Sequence, residues 1–256
     1  MNQLQTHISE KFNGTIWRIE IDEISDLLFL EIRNSDERKV SFASIDLQTG
    51  VINYSEKGET EPWLVGIEAA YDKILLLHLY QSAATPQHKG LIGLDGISGE
   101  TLWSNYNYGF DFISSEGPIC YDSIIQPRKL FLLDGQSGEI IEPFVKQKHV
   151  EITRNINYPT SIVPEMAPNK LFPSNTVIKS VQCLPFNNFI IVSLHAFENG
   201  VLKHFIYVFE NNEVFYEDIL NDNILKMQPE SFILFKSFLI YIKNNVELKV
   251  LSLLKR

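Results

Sequence analysis

The chain has 256 residues, of which 45% are hydrophobic and 21% are charged. This length and composition allow a large buried core, which excludes an intrinsically disordered protein. The formal net charge of -10 at pH 7 disfavours nucleic acid as a partner, because affinity for phosphates depends on clustered Lys and Arg.

Three sequence features indicate where the protein resides. The first 20 residues lack a cationic segment followed by an apolar run, so we expect no secretory signal. The longest apolar stretch, residues 231–242, is interrupted by Lys236 and is too short to cross a bilayer. Cys120 and Cys183 have no metal-like spacing and are interpreted as small buried residues rather than a disulfide. The sequence therefore predicts a soluble, cytoplasmic protein that binds no membrane.

A short turn pattern recurs along the chain. An apolar or aromatic residue is followed by two polar residues and a second apolar residue, at residues 24–27, 71–74, 121–124, 186–189 and 235–238. Successive copies start 47, 50, 65 and 49 residues apart. Periods of roughly 40 to 50 residues are typical of β-propeller blades. We therefore predict five repeated units, with an insertion at about residues 146–174 in the longest interval.

The second unit indicates how each unit is built. Its four predicted strands are residues 63–70, 74–80, 90–94 and 101–104. The second of these is apolar almost throughout, which is typical of a strand covered on both faces by neighbouring sheets. No segment of the chain has sustained helical periodicity. The predicted fold class is therefore all-β, with four-stranded antiparallel blades.

A second repeated pattern joins two strands of each of the first three units. It reads apolar-Asp-x-x-Ser/Thr-Gly-x-apolar and starts at Ile45, Leu94 and Leu133. We expect each Asp to accept backbone N–H groups and each Gly to adopt a positive φ. The residues concerned are Asp46, Gly50, Asp95, Gly99, Asp134 and Gly138. They are therefore interpreted as turn-stabilising residues rather than catalysts.

The two ends of the chain complement each other. The fifth unit has only three predicted strands, the last at residues 248–254, whereas residues 4–12 precede the first unit and belong to none. We expect residues 4–12 to supply the outer strand of the fifth blade and so to close the ring. The predicted organisation is one domain, residues 1–256, folded as a five-bladed propeller.

The segment from Leu94 to Trp103 resembles the quinoprotein-like, or pyrroloquinoline-quinone-type, repeat, whose blades typically read Ala-x-Asp-x-x-Thr-Gly-x-x-x-Trp. The likeness covers the hairpins between Ala43 and Phe144, and only this copy keeps the final Trp. The chain also resembles a family of short bacterial propeller proteins. Both resemblances imply a fold and no particular activity.

The same resemblance bears on cofactors. Quinone-dependent dehydrogenases with this repeat have more blades, a calcium site and commonly a vicinal cysteine pair, and this chain lacks that pair. We therefore expect no bound quinone and no other cofactor. The six histidines have no recognised ligand spacing, so no metal site is predicted either. His78 and His195 occupy similar places in their units, where they could stack on each other or serve as ordinary blade residues.

Polar residues in the first strand of each unit are the candidate ligand-binding residues, because the innermost strands of a propeller line its central channel. They are Arg18, Glu20, Glu68, Glu116, Lys179, Gln182, Gln228 and Glu230. This set is acidic and could hold a cation, a sugar or a basic peptide. The alternative is ordinary channel lining with bound water.

The insertion is a second candidate contact surface. It contains Pro159, Pro164, Pro168 and Pro173, and its apolar residues include Tyr158, Met166, Leu171 and Phe172. It could cover one mouth of the channel, present a docking surface, or be a spacer on the outside of the ring.

We therefore expect a non-enzymatic binding or scaffold module. Its partner would be an unidentified protein or small molecule, contacted through the acidic channel mouth or the insertion. The alternative is a carbohydrate-active hydrolase that uses channel carboxylates as acid and base. A regulatory propeller that binds a small metabolite is a third possibility.

Overall fold

A computed structural model describes residues 4, 6–163, 181–211, 213–222, 224–228 and 231–254. These residues form five antiparallel sheets and contain no helix. Accordingly, no helix in the described ranges is long and apolar enough to span a membrane. The chain divides into two compact units, which we call the three-sheet unit (Phe12–Arg154) and the two-sheet unit (Met1–Lys11 with Asn155–Arg256).

In the three-sheet unit, each sheet has four strands in sequence order. The first sheet contains β2 (Thr15–Asp22), β3 (Leu27–Asn34), β4 (Lys39–Asp46) and β5 (Ile52–Lys57). The second contains β6 (Val65–Tyr71), β7 (Ile74–Ser82), β8 (Thr85–Asp95) and β9 (Thr101–Asn105). The third contains β10 (Tyr108–Ser114), β11 (Gly117–Asp122), β12 (Leu130–Leu133) and β13 (Ile140–Pro143).

In the two-sheet unit, each sheet has five strands. The fourth sheet contains β15 (Thr160–Ile162), β16 (Val181–Phe186), β17 (Phe189–Glu198), β18 (Val201–Glu210) and β19 (Glu213–Asn221). The fifth contains, in spatial order, β14 (Ile156–Asn157), β20 (Ile233–Phe235), β21 (Phe238–Lys243), β22 (Glu247–Ser252) and β1 (Thr6–Lys11). The pairing expected for the N-terminal segment is therefore present, with Ser9 opposite Lys249.

Apolar side chains fill the space between adjacent sheets. Phe29 and Phe42 of the first sheet pack with Ile67 and Leu77 of the second, and all four are inaccessible to solvent. The first six residues of β7 are buried, in keeping with a strand covered on both faces. Sheet-on-sheet burial of this kind is the main stabilising term of the fold.

Four of the five repeated turn segments join the first two sequence-predicted strands of a sheet, as their spacing predicts. These turns contain left-handed residues that a tight hairpin requires, for example Asp72 (φ 44°) and Lys73 (φ 66°) between β6 and β7. The third segment, Tyr121 to Ile124, differs, because it lies at the end of β11. There the first hairpin turns instead at Ser114–Gly117, where Ser114 Oγ donates to the Gly117 carbonyl (2.8 Å).

The described part of the predicted insertion pairs with the sheets. The Val150 carbonyl accepts the Ser115 N–H (2.9 Å), and Ile152 donates to the Ile113 carbonyl at the end of β10 (3.0 Å). Further along, β14 extends the fifth sheet and β15 extends the fourth. Residues 150–162 therefore add to first-strand edges. Pro164, Met166, Pro168, Leu171, Phe172 and Pro173 lie outside the described residues.

Candidate functional site

The hairpins of the repeated Asp-Gly pattern have closely similar geometry. In each, the Asp Oδ1 atom accepts two backbone N–H groups at 2.7–2.9 Å. The Gly four residues later has φ between 70° and 75°, and its N–H donates to the Asp carbonyl. The three pairs are Asp46 with Gly50, Asp95 with Gly99, and Asp134 with Gly138. Their hydrogen bonds stabilise turns and leave no feature that requires a ligand.

Three of the predicted channel residues come together in the three-sheet unit. Arg18 of β2 donates to the backbone carbonyls of Ile67 (2.8 Å) and Glu68 (2.9 Å) on β6, and its Nη2 lies 3.2 Å from Glu20 Oε2. Arg154 pairs with the other oxygen of Glu20 at 2.5 Å. Glu20 is only 5% exposed, so its carboxylate is buried between two guanidinium groups.

The remaining predicted channel residues lie elsewhere. Glu116 is in the exposed turn between β10 and β11 rather than in a strand, because the first hairpin of the third sheet turns at Ser114–Gly117. Gln182, in the two-sheet unit, donates to Ser161 Oγ across β15 and β16 (2.9 Å). The backbone N–H of Gln228 donates to His195 Nε2 (3.0 Å). Lys179 and Glu230 lie outside the described residues.

Glu68 meets two histidines that form a group, which we call the Glu68 cluster (Glu68, His78 and His88). Glu68 Oε2 lies 3.2 Å from His78 Nδ1 and 2.9 Å from His88 Nδ1. The two imidazole rings stack with centroids 3.5 Å apart and planes 6° from parallel. His78 is 2% exposed and Glu68 is largely buried, whereas the His88 side chain is 39% exposed.

Irregularities in two strands, β6 and β8, assemble the Glu68 cluster. The register of β6 against β7 shifts between Ile67 and Ala69, which makes Glu68 the residue of a β-bulge. A second shift, at Gly90 (φ 66°), places His88 opposite Tyr80, on the same face as His78. The sequence predicts strand three only from residue 90, so His88 was expected in a loop and was missed as a site residue. The sequence signal that could have located His88 is the presence of a second His, His78, on the other side of the same hairpin.

The electrostatics of the Glu68 cluster favour an ionised carboxylate. Burial raises the pKa of Glu68, but the adjacent His78 and then His88 outweigh burial and hold the pKa below its ordinary value. Neither ring nitrogen of His78 makes a well-oriented hydrogen bond, although both are shielded from solvent. Close by, Gly66 leaves room for this ring, because a Cβ there would lie 3.0 Å from His78 Nε2.

A cavity of about 310 Å³, which we call the aromatic cavity, lies beside the cluster. Its lining is Arg33, Trp63, Leu64, Tyr80, Ser82, Ala83, Ala84, Thr85 and Pro86. Tyr80 also contacts both cluster histidines edge to face, with centroids 4.7 Å from His78 and 5.3 Å from His88. The cavity and the cluster therefore share one side chain.

Arg33 holds the walls of the aromatic cavity in place. Its guanidinium pairs with Glu31 at 2.6 Å and donates to the backbone carbonyl of Val65 at 3.0 Å. Its Cζ lies 5.4 Å from the ring centroid of Trp63 and 5.9 Å from that of Tyr80. These contacts combine charge-assisted hydrogen bonds with cation–π attraction, so the aromatic walls are positioned without a ligand.

A second stacked histidine pair lies in the two-sheet unit. His195 and His204 stack with centroids 4.0 Å apart, and His204 Nε2 lies 2.6 Å from Ser193 Oγ. Burial, together with nearby His195, lowers the pKa of His204 to about 3. The stacking predicted as one option between His78 and His195 is therefore replaced by pairing within each sheet.

Comparison with known proteins gives a family match over part of the chain. Residues 21–103, which include β3 to β8, match the family described as "Domain of unknown function (DUF4905)". The match covers Glu31, Arg33, Glu68, His78 and His88. No curated protein matches the sequence.

Several solved structures share a distant similarity. The β-propeller domain of the Trilobed protease from Pyrococcus furiosus has 11% identity and a TM-score of 0.34, covering 94% of this chain and 68% of that chain. A eukaryotic initiation factor has 11% identity and a TM-score of 0.35, covering 95% and 53%. An endo-arabinase from Bacteroides thetaiotaomicron has 12% identity and a TM-score of 0.29, covering 96% and 98%. No activity of these proteins follows for this chain.

Proposed function

We propose that the protein is a non-enzymatic binding module that takes a small uncharged ligand of the saccharide class in the aromatic cavity. The observation that supports this proposal is a cavity of about 310 Å³ with Trp63 and Tyr80 in its wall and the hydroxyl-bearing Ser82 and Thr85 beside them. Ligand sites commonly combine aromatic walls with a few polar groups, in volumes of about 300–1,000 Å³. A sugar ring offers an apolar face to the aromatic side chains and hydroxyls to the polar ones.

The charge at the site supports an uncharged ligand. Arg33 is the charged residue in the cavity lining, and Glu31 lies 2.6 Å from its guanidinium. Because these opposite charges offset each other, neither an anion nor a cation gains a free counter-charge from this pair. Arg33 instead holds the side chains of Trp63 and Tyr80 in place, and walls that are already ordered reduce the entropy lost when a ligand binds.

The surroundings of Glu20 and Glu68 weaken the alternative of a hydrolase that uses the predicted channel carboxylates. Such an enzyme needs two carboxyl groups that face a common substrate. Glu20 is buried between Arg18 and Arg154, and Glu68 is turned toward two histidines. The geometry in the described residues therefore favours binding over hydrolysis.

The proposal includes the finer fold expected from the sequence. We propose that the five sheets are the blades of one closed propeller ring, related to the quinoprotein-like repeat, in a cytoplasmic protein. Three observations support the ring and the repeat. They are the five turn segments along the sequence, the three Asp-Gly hairpins, and the pairing of β1 with β22. Cys120 and Cys183 are free thiols, which suits a reducing compartment.

Saccharide binding to the full chain tests the function. We expect a screen of mono- and oligosaccharides to yield a ligand, and isothermal calorimetry to show that Trp63→Ala and Tyr80→Ala abolish its binding. Tyr106→Ala is the control, because Tyr106 is an aromatic residue that is 65% exposed and is not part of the cavity lining. The proposal is wrong if no saccharide binds, or if binding persists in both cavity variants.

Activity is tested with the same ligands. The proposal predicts that a bound saccharide is recovered uncleaved after prolonged incubation. Cleavage by the wild type that disappears in Glu68→Gln would overturn the non-enzymatic assignment and favour the hydrolase.

A further inference from the structure

We propose that Glu68, His78 and His88 form a binding site for a divalent transition-metal ion of the zinc class. One candidate ligand atom from each of the three residues lies within 4.8 Å of the other two. Imidazole nitrogen and carboxylate oxygen are ligands that zinc, nickel, copper and iron share. The inference does not depend on the proposed saccharide.

The distances suit ligands of a single ion. With metal–ligand bonds of about 2.0–2.2 Å in a tetrahedral arrangement, two ligand atoms stand roughly 3.3–3.5 Å apart. Glu68 Oε2 is 3.2 Å from His78 Nδ1 and 2.9 Å from His88 Nδ1. An ion bound between them needs these two distances to lengthen slightly and the stacked rings to change their relative orientation.

His78 provides an independent indication of a ligand. It is 2% exposed, and neither of its ring nitrogens makes a well-oriented hydrogen bond despite the short contact to Glu68. A buried polar group without such a bond carries a desolvation penalty. Coordination of a metal ion by Nδ1 would satisfy this nitrogen, and the carboxylate of Glu68 would offset part of the ionic charge.

The position of His88 permits the required adjustment. The two rings lie 6° from parallel, so their Nδ1 atoms do not point at one centre without a rotation. His88 can rotate because its side chain is 39% exposed, whereas buried His78 and Glu68 stay in place. We therefore expect ion binding to unstack His88 from His78.

Three protein ligands leave a coordination position for water or another ligand. Tyr80 lies edge to face against both histidines and also lines the aromatic cavity. The nearby Arg18 guanidinium contacts Glu20 and two backbone carbonyls, so its charge is partly offset. Arg18 therefore does not oppose binding of the proposed metal cation with an unpaired positive charge.

Metal titration of the full chain tests the site. After treatment with a chelator, the protein is titrated with Zn²⁺ by calorimetry and with Co²⁺ by visible absorption, which reports the coordination geometry. We expect one bound ion per chain. Glu68→Gln and His88→Ala should each weaken Zn²⁺ binding by more than the roughly 10- to 100-fold that loss of an outer-shell partner produces.

The control is His195→Gln in the other stacked pair, whose neighbours are Ser193 Oγ and the Gln228 N–H rather than Glu68. This variant should bind Zn²⁺ as the wild type does. Circular dichroism and thermal melting confirm that each variant is folded, and His88→Ala is the safer variant because the side chain is partly exposed. The proposal is overturned if the wild type binds no stoichiometric ion, or if folded Glu68→Gln and His88→Ala retain full affinity. In either case the contacts of Glu68 with the two histidines serve to stabilise the packing of β6 against the β7–β8 hairpin.

Discussion

Trp103 donates its indole N–H to the backbone carbonyl of Gly135, with 2.8 Å between the nitrogen and the oxygen. Trp103 belongs to β9 of the second sheet, whereas Gly135 lies in the hairpin between β12 and β13 of the third. The same ring covers Gly138, where an added Cβ would stand 2.5 Å from Trp103 Cδ2. Trp103 therefore connects the second sheet to the Asp-Gly hairpin of the third sheet.

This contact predicts that Trp103→Phe lowers the free energy of unfolding. Phe keeps much of the ring but loses the hydrogen bond, whose net contribution is about 0.5–1.5 kcal/mol. Urea unfolding of the variant and wild type measures the difference. Trp17→Phe is the control, because Trp17 is 66% exposed and Phe keeps an aromatic ring for its contact with Arg33, so this substitution should change stability by no more than about 0.5 kcal/mol. Equal effects of the two substitutions would contradict the role assigned to Trp103.

The packing at Gly138 leads to a second prediction. Gly138→Ala imposes a left-handed conformation on a residue with a side chain, at a cost of roughly 1–2 kcal/mol, and adds a collision with Trp103. Gly200→Ala is a matched control, since Gly200 also has a positive φ (80°) but no atom within 4 Å of an added Cβ. We expect chemical denaturation to show a larger loss for Gly138→Ala. The prediction is wrong if both variants lose the same amount.

Asp95 should make a hairpin sensitive to acid. Burial raises the pKa of Asp95, but the N–H groups of Ser98 and Ile97 outweigh it and leave the pKa below its ordinary value. A carboxylate with a lowered pKa in the folded state stabilises above its unfolded pKa, about 3.9, and loses this contribution as pH falls through the folded value. Asp95→Asn should therefore be less stable than wild type at neutral pH, and the difference should shrink in acid. The check is to measure the free energy of unfolding of both proteins at neutral and at acidic pH. If the difference between them stays constant, the stability of the fold does not depend on ionisation of Asp95.

Local patterns in the sequence predict much of the fold. The Asp-Gly hairpins and four of the repeated turns follow from residues that tolerate left-handed backbone or accept turn N–H groups, a property of a few adjacent positions. The pairing of β1 with β22 could also be predicted, because the fifth unit has an unfilled edge. The segment Tyr121 to Ile124 shows the limit of such patterns. It has the composition of a first turn, yet Ser114 and Gly117 form that turn instead.

The Glu68 cluster could be predicted only in part. Glu68 and His78 can be located on their strands from the sequence, but a β-bulge re-aims Glu68, and no local pattern marks it. His88 lies in a polar run that is typical of a loop, although β8 begins at Thr85. Arg154 lies within the segment interpreted as an insertion, and its partner Glu20 is more than 100 positions earlier. Each of these contacts depends on register or on distant packing rather than on neighbouring residues.

His204 should make the fourth sheet sensitive to mild acid. Burial and the neighbouring His195 lower its pKa to about 3, whereas an unfolded histidine has a pKa of about 6.5. Between these values the unfolded chain binds the extra proton, so stability falls with decreasing pH, by up to about 1.4 kcal/mol per pH unit for this group. His204→Gln can keep a hydrogen bond to Ser193 and removes the titration. We expect the variant to be less sensitive than wild type as pH falls from neutral to about 4, a window above the one in which Asp95 acts. Urea unfolding across this range measures both slopes, and parallel pH profiles would show that His204 does not remain neutral in the folded protein.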